Sequence, residues 1–186
     1  MKRFALLPLT ALVLAACSDT TNIPTSVVDR PSLAIVGPTF NPAAAPTGTH
    51  LQSGTIACSV SGLTVSCTSY ELAGVGNANA RADLAATYEA TVDCRNHGGK
   101  VVPVKASVQN APVSTGELEP KNGRLAVPAL STGGLLPSDE AFEAQAVCPN
   151  GNWTKEVQEG DPTLTSFIYT LKFIGFVGVY ITITGP

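Results

Sequence analysis

Over 186 residues, 14 acidic side chains face 11 basic ones, a formal net charge of −3 with no clustered run of Lys and Arg. That excludes the basic footprint needed to neutralise nucleic-acid phosphates or coat an anionic surface. Charged residues make up only 13% of the chain, against 17 Gly and 14 Pro, a balance that suits a strand-and-turn domain better than a helical one.

Lys2 and Arg3 precede an apolar run from Phe4 to Ala16, broken only by Pro8 and Thr10. A bilayer span needs roughly 20 such residues. A positive start followed by a shorter apolar stretch is the pattern of an export signal that is later removed. The run ends in Leu14-Ala15-Ala16-Cys17, which resembles the lipobox of bacterial lipoproteins. The resemblance implies a signal peptide over residues 1–16, diacylglycerol on the Cys17 sulfur with a further acyl chain (palmitate or similar) on the same residue, and cleavage before that residue. Two or more chains hold a protein stably in a membrane. Ser18 after the cysteine implies the outer membrane if the source has two, since Asp there marks retention at the inner one. Without Lys2 and Arg3 the remaining chain has 9 basic and 14 acidic residues, a net charge of −5.

Residues 17–54 read as a lipidated tether. Pro24, Pro31, Pro38, Pro42 and Pro46 remove backbone donors and keep a chain extended. Within it, Ser32–Val36 is apolar enough to be a docked edge strand.

The strand signals become dense from Thr55, which sets the start of a domain over 55–186. Thr55–Val60 and Val65–Tyr70 are β-rich runs around Ser61-Gly62-Leu63-Thr64. A four-residue loop there places Cys58 opposite Cys67, close enough for a disulfide. A two-residue turn at Ser61-Gly62 would place Cys58 opposite Val65 instead. From Leu84 to Cys94, Leu84, Ala86, Tyr88, Ala90, Val92 and Cys94 share one face, and polar residues occupy most of the other. Such period-2 alternation predicts a half-buried antiparallel strand. Asn96–Gly99 is a turn and Val101–Val108 a strand, placed at an edge by Pro103. Gly123–Leu130 reads as another strand, carrying Pro128.

Phe142, Ala144, Ala146 and Cys148 repeat the alternation. Glu143-Ala144-x-x-x-Cys148-x-Asn150 echoes Glu89-Ala90-x-x-x-Cys94-x-Asn96, which favours two similar strands bridged by a Cys94–Cys148 disulfide. An even set of cysteines after Cys17 fits an oxidising compartment. Trp153–Glu159 is a further strand, followed by a turn through Pro162. In the tail, Phe167, Tyr169, Leu171, Phe173, Val177, Val179, Ile181 and Ile183 all have odd numbers. Either a hairpin with loop Ile174–Phe176 or one long strand bent at Gly175 would put all eight on one face.

Seven to nine short strands and no evident amphipathic helix predict an all-β fold. The expected architecture is a two-sheet antiparallel sandwich, loosely immunoglobulin-like and braced by disulfides at Cys58, Cys67, Cys94 and Cys148. The segments Ala73-Gly74-Val75-Gly76-Asn77, Cys94-Arg95-Asn96-His97-Gly98-Gly99 and Cys148-Pro149-Asn150-x-x-Trp153 are similar to those of a group of small, uncharacterised secreted bacterial proteins. The likeness spans most of residues 58–155 and implies no activity.

Few residues offer chemistry. His50 and His97 are the only histidines, and no Gly-x-Ser-x-Gly elbow is present. Gly74-Val75-Gly76 lacks the third glycine and the helix of a dinucleotide site. Cys94-x-x-His97 has zinc-ligand spacing, with Cys58 and Cys67 able to complete the set. Glu117 with Glu119, or Asp139 with Glu140, could form a hydrolytic carboxylate pair. Trp153, Tyr169 and Tyr180 could form a sugar-binding platform if exposed. The expectation is a non-catalytic lipoprotein of the cell envelope, with no catalytic residue, metal or cofactor beyond the lipid on Cys17. It would be held to the membrane by that lipid and bind an envelope protein or glycan, not nucleic acid. A secreted hydrolase and a periplasmic metal-binding protein are the alternatives.

Overall fold

The structure, a computed structural model, describes residues 37–160 and 162–185. The run read as an export signal, Cys17 and the Ser32–Val36 stretch lie outside the described residues. The elements in chain order are β1 (Thr39–Phe40), a short 3-10 turn (Pro42–Ala44), β2 (His50–Gly54), β3 (Cys58–Ser61), β4 (Thr64–Cys67) and β5 (Tyr70–Ala73). They continue with β6 (Ala80–Arg95), β7 (Val101–Gln109), β8 (Val113–Ser114), β9 (Arg124–Val127) and β10 (Leu130–Ser131). Helix α1 (Asp139–Gln145) then leads to β11 (Thr154–Val157), β12 (Thr163–Phe173) and β13 (Ile181–Gly185).

Strand β6 is the spine. The expected alternation holds and begins four residues earlier: the even-numbered residues from Ala80 to Cys94 are all buried, while Arg81, Asp83, Thr87, Glu89, Thr91, Asp93 and Arg95 face outward. Along one side β6 pairs antiparallel with β12 and then β11; along the other it pairs with β8 and β7. Thr87 lies between Ser166 of β12 and Gln109 of β7, which fixes those two strands on opposite sides. Beyond β12 come β13 and β1, completing a seven-stranded sheet. Pro103 sits in β7, which pairs only with β6 among the described residues, so its missing N–H interrupts no second ladder.

The second layer is two three-stranded sheets, β10-β4-β3 and β2-β5-β9. The chain passes between them three times, from β2 to β3 through Thr55-Ile56-Ala57, from β4 to β5 through Thr68-Ser69 and from β9 to β10 through Pro128-Ala129. The predicted strand over Gly123–Leu130 is therefore split, because the Pro128 ring has no N–H to continue a ladder. One continuous core joins the layers: Val65, Leu72, Leu125 and Val127 on one side, Leu84, Tyr88, Tyr169, Leu171 and Ile183 on the other. The Tyr88 hydroxyl donates across the interface to the Leu63 carbonyl at 2.9 Å. An all-β, sandwich-like fold is what these residues form.

Three expectations are corrected. First, residues 39–54, read as tether, contribute strands: β1 pairs with β13 and β2 with β5. Every residue of both strands is exposed, so the pairing leaves no hydropathy signal. Second, the run through Phe142 is helix α1, not a strand, and its echo of the Cys94 segment is no structural repeat. Asp139 and Glu140 follow Ser138 at its start, where carboxylates meet unpaired backbone N–H groups. Phe142 and Ala146, four apart, are buried at 0% and 4% exposure while Ala144 between them is exposed. Third, the tail follows neither scheme. Residues 174–180 connect β12 to β13, and the parity breaks at Val177, which is 94% exposed.

Gly74-Val75-Gly76 is a loop between β5 and β6. Gly74 has φ +74°, and a Cβ there would meet the Gly48 carbonyl oxygen at 2.2 Å, so only glycine fits.

Candidate functional site

The four cysteines downstream of Cys17 are paired as Cys58–Cys67 and Cys94–Cys148. Cys58 does oppose Cys67, in the register of the four-residue loop, but the ladder runs one pair further: Ser61 pairs with Thr64, leaving only Gly62-Leu63 in the turn, with Gly62 at φ 59°. Bonded sulfur is not a thiolate, so the zinc set of Cys94, His97, Cys58 and Cys67 is overturned. His97 is exposed in the β6–β7 turn, and His50 Nδ1 lies 2.8 Å from the Gly48 carbonyl, the partner it donates to when protonated there.

The carboxylate pairs are exposed. Glu117 accepts from Asn79 Nδ2 at 2.6 Å and, with Glu119, flanks Leu118, which bridges to Ala80. Both acids lie in an irregular segment rather than in a strand. Asp139 and Glu140 occupy the first turn of α1. A hydrogen bond from the Ser138 hydroxyl, and then one from its own backbone N–H, hold the Glu140 carboxyl below the usual range. That is the behaviour of a helix-start carboxylate. Tyr169 and Tyr180 are buried at 1% and 5% exposure, so with half-buried Trp153 they form no open platform.

Tyr169 instead faces Tyr70 across the layers, hydroxyl to hydroxyl at 2.8 Å. Burial pushes both phenols up, Tyr169 to about 12. Both are neutral at pH 7 in either state. Once the unfolded chain starts to lose phenol protons near pH 10, the folded form still keeps them. Their contribution is therefore fully present below pH 10 and is lost as the pH climbs toward 12. Urea midpoints between pH 8 and 12 should fall from pH 10 upward, and fall less in Tyr169→Phe. A flat profile would contradict the buried pair.

A groove of about 330 Å³ runs between the end of β7 and the segment leading into α1. Val108, Gln109, Asn110 and Ala111 form one wall; Gly134, Leu135, Leu136, Pro137 and Ala141 form the other. Leu135 and Leu136 are 46% and 45% exposed. Asn110 is 6% exposed. Its Oδ1 accepts from the Ala86 backbone N–H at 2.7 Å and its own N–H donates to the Ala86 carbonyl at 3.0 Å. Among the described residues its Nδ2 is a buried donor with no partner. Chemically the groove offers mostly apolar contact, with Gln109 and Asn110 the amide residues of its lining, and no titratable side chain lines it. Sequence reasoning missed it, because Asn110-Ala111-Pro112 reads as an ordinary loop and carries no periodic signal.

No protein-family model, curated protein or solved structure matches the chain. Among the described residues no helix is long and apolar enough to cross a membrane, and no group of three or more His, Cys, Asp or Glu is placed to hold a metal ion.

Proposed function

We propose that this chain is an exported lipoprotein, anchored through Cys17, whose sandwich serves as a non-catalytic binding or structural module of the cell envelope. The observation that carries the reading is the cysteine pairing. Cys58–Cys67 and Cys94–Cys148 use four of the five cysteines. The sulfur left over belongs to Cys17, at the end of Leu14-Ala15-Ala16-Cys17. Two disulfides suit an oxidising compartment, and a residual thiol in such a protein calls for a modification or a partner. The groove between the end of β7 and the segment leading into α1, mostly apolar and bordered by Gln109, is the contact region this reading favours for an envelope protein or a glycan.

The test is Cys17→Ser expressed in a lipoprotein-processing bacterial host. The unaltered chain is expected in the membrane fraction, with a mass showing cleavage before residue 17 and added acyl chains. The variant is expected to show neither change, with no acyl mass and an intact amino terminus. An unmodified, uncleaved amino terminus on the unaltered chain would refute the proposal.

A further inference from the structure

We propose that the tip built by Phe40 and the Ile174–Tyr180 connection is a bilayer contact that seats the domain on a lipid surface; the choice of a lipid surface rests on the anchoring read at Cys17. The connection from β12 to β13 is Ile-Gly-Phe-Val-Gly-Val-Tyr. Val177 is 94% exposed, Ile174 50% and Phe40 49%. Exposed apolar side chains grouped at one end of a sheet, unlike ones scattered singly, mark an interaction surface.

The loop is not a loose excursion. Ile174 N–H donates to the Asn79 carbonyl at 2.8 Å, Tyr180 N–H to the Leu171 carbonyl at 2.9 Å, and Asn41 N–H to the Tyr180 carbonyl at 2.8 Å. Phe173 stands edge-on to Phe176 at 6.2 Å between ring centres, and Tyr180 contacts both Phe173 and Phe40. Gly175 and Gly178, at φ 89° and 96°, turn the chain so that Val177 projects between them. A braced root therefore presents apolar side chains outward.

Two features of the tip favour a bilayer over other coverings. The first is where the chain comes in. β1 lays Phe40 opposite Ile181, the residue that follows the connection, and Thr39 opposite Thr182. Residues 18–36 separate Cys17 from the first described residue, Gly37. Such a length spans at most about 70 Å, so a lipid on Cys17 holds this corner near the bilayer at high effective concentration. The second is the charge around the apolar residues. Lys172 and Arg81 line a shallow concavity of about 270 Å³ with Ile174, Gly175 and Phe176. Arg81 is paired with Asp83 at 2.9 Å, and Glu117 lies nearby on Asn79, so the tip is locally balanced in a chain of net negative charge. Lys172, exposed beside Ile174, can keep its ammonium among phosphate headgroups while its stem lies on apolar surface.

The test uses the full chain carrying Cys17→Ser throughout, so that acylation cannot mediate binding and anything residues 1–16 contribute is common to every sample. The probes are vesicles of phosphatidylcholine with one quarter phosphatidylglycerol, at millimolar lipid. Adding Val177→Trp should give a blue-shifted emission quenched by brominated acyl chains, whereas Trp153, in the turn before β11, should not respond. Adding Ile174→Asp with Val177→Asp should weaken vesicle pelleting at least fivefold; these positions are exposed, so folding is not at stake. Unquenched Val177→Trp, or pelleting unchanged by the aspartates, would overturn the proposal. So would a dimer in sedimentation velocity that the aspartates dissociate in protein that ignores vesicles, for the tip would then belong to a second copy. Because no acylated protein is used, failure here leaves the Cys17 reading standing, and an unacylated Cys17 leaves this result standing.

Discussion

Replacing Cys94 and Cys148 together by alanine is expected to lower the unfolding free energy by about 4 kcal/mol in the chain-entropy view of cross-links. The bridge joins residues 54 apart, whereas Cys58–Cys67 joins residues 9 apart, for which the same argument gives about 2.7 kcal/mol. The difference has a structural counterpart. Cys58 and Cys67 are already opposed in the β3–β4 ladder, so their loop is closed by backbone hydrogen bonds as well. Cys148 lies beyond α1 in an irregular segment, and the bridge ties that segment to the buried face of β6. Against a typical total of about 5–15 kcal/mol, losing the longer bridge is a large fraction of stability. The melting temperature should drop by roughly 10–15 °C for a domain of this size. Thermal and urea unfolding of the two double variants would check the order; a larger loss from Cys58→Ala/Cys67→Ala would contradict it.

What the sequence revealed, and what it hid, follows from which interactions leave a periodic trace. β6 was legible because a strand with one face in the core must alternate, and its even-numbered positions from Leu84 to Cys94 do so. Cys58–Cys67 was legible because the hairpin register opposes the two residues, whereas Cys94–Cys148 was reached through an echo between two strands of which the second is in fact α1. β1 and β2 were not legible, since all their side chains are exposed and leave no alternation to read. The tail misled through a coincidence of parity. Val177 has the same parity as Phe173 and Ile181, yet the positive-φ glycines on either side turn it outward. The Asn110 groove left no trace because it is assembled from two loops far apart in sequence. The cysteines offered as zinc ligands could be judged only once their partners were known.

Phe142→Ala should cost about 3–5 kcal/mol, the range for deleting a fully buried aromatic ring and leaving its cavity. Phe142 lies on a helix of only 7 residues, too short to hold itself together in water. The helix persists because its buried side packs against β7, β11 and β6, the Lys155 ammonium donates to the Glu143 carbonyl at 2.7 Å, and Cys148 is bonded to Cys94. The ring and the disulfide thus restrain the same short stretch of chain, and their effects should not add. In a double-mutant cycle, Phe142→Ala should cost less when Cys94 and Cys148 are already alanine, with a coupling of about 0.5–3 kcal/mol. Phe142→Leu, which refills most of the volume, should cost under about 1.5 kcal/mol. Amide exchange would show the loss as faster exchange in α1 and along β7 before any change in β12. If Phe142→Ala costs under about 1 kcal/mol, or its cost adds fully to that of the missing bridge, α1 does not cover this end of the core. The short apolar run that looked like a strand would then have to be placed on the sheet in some other way.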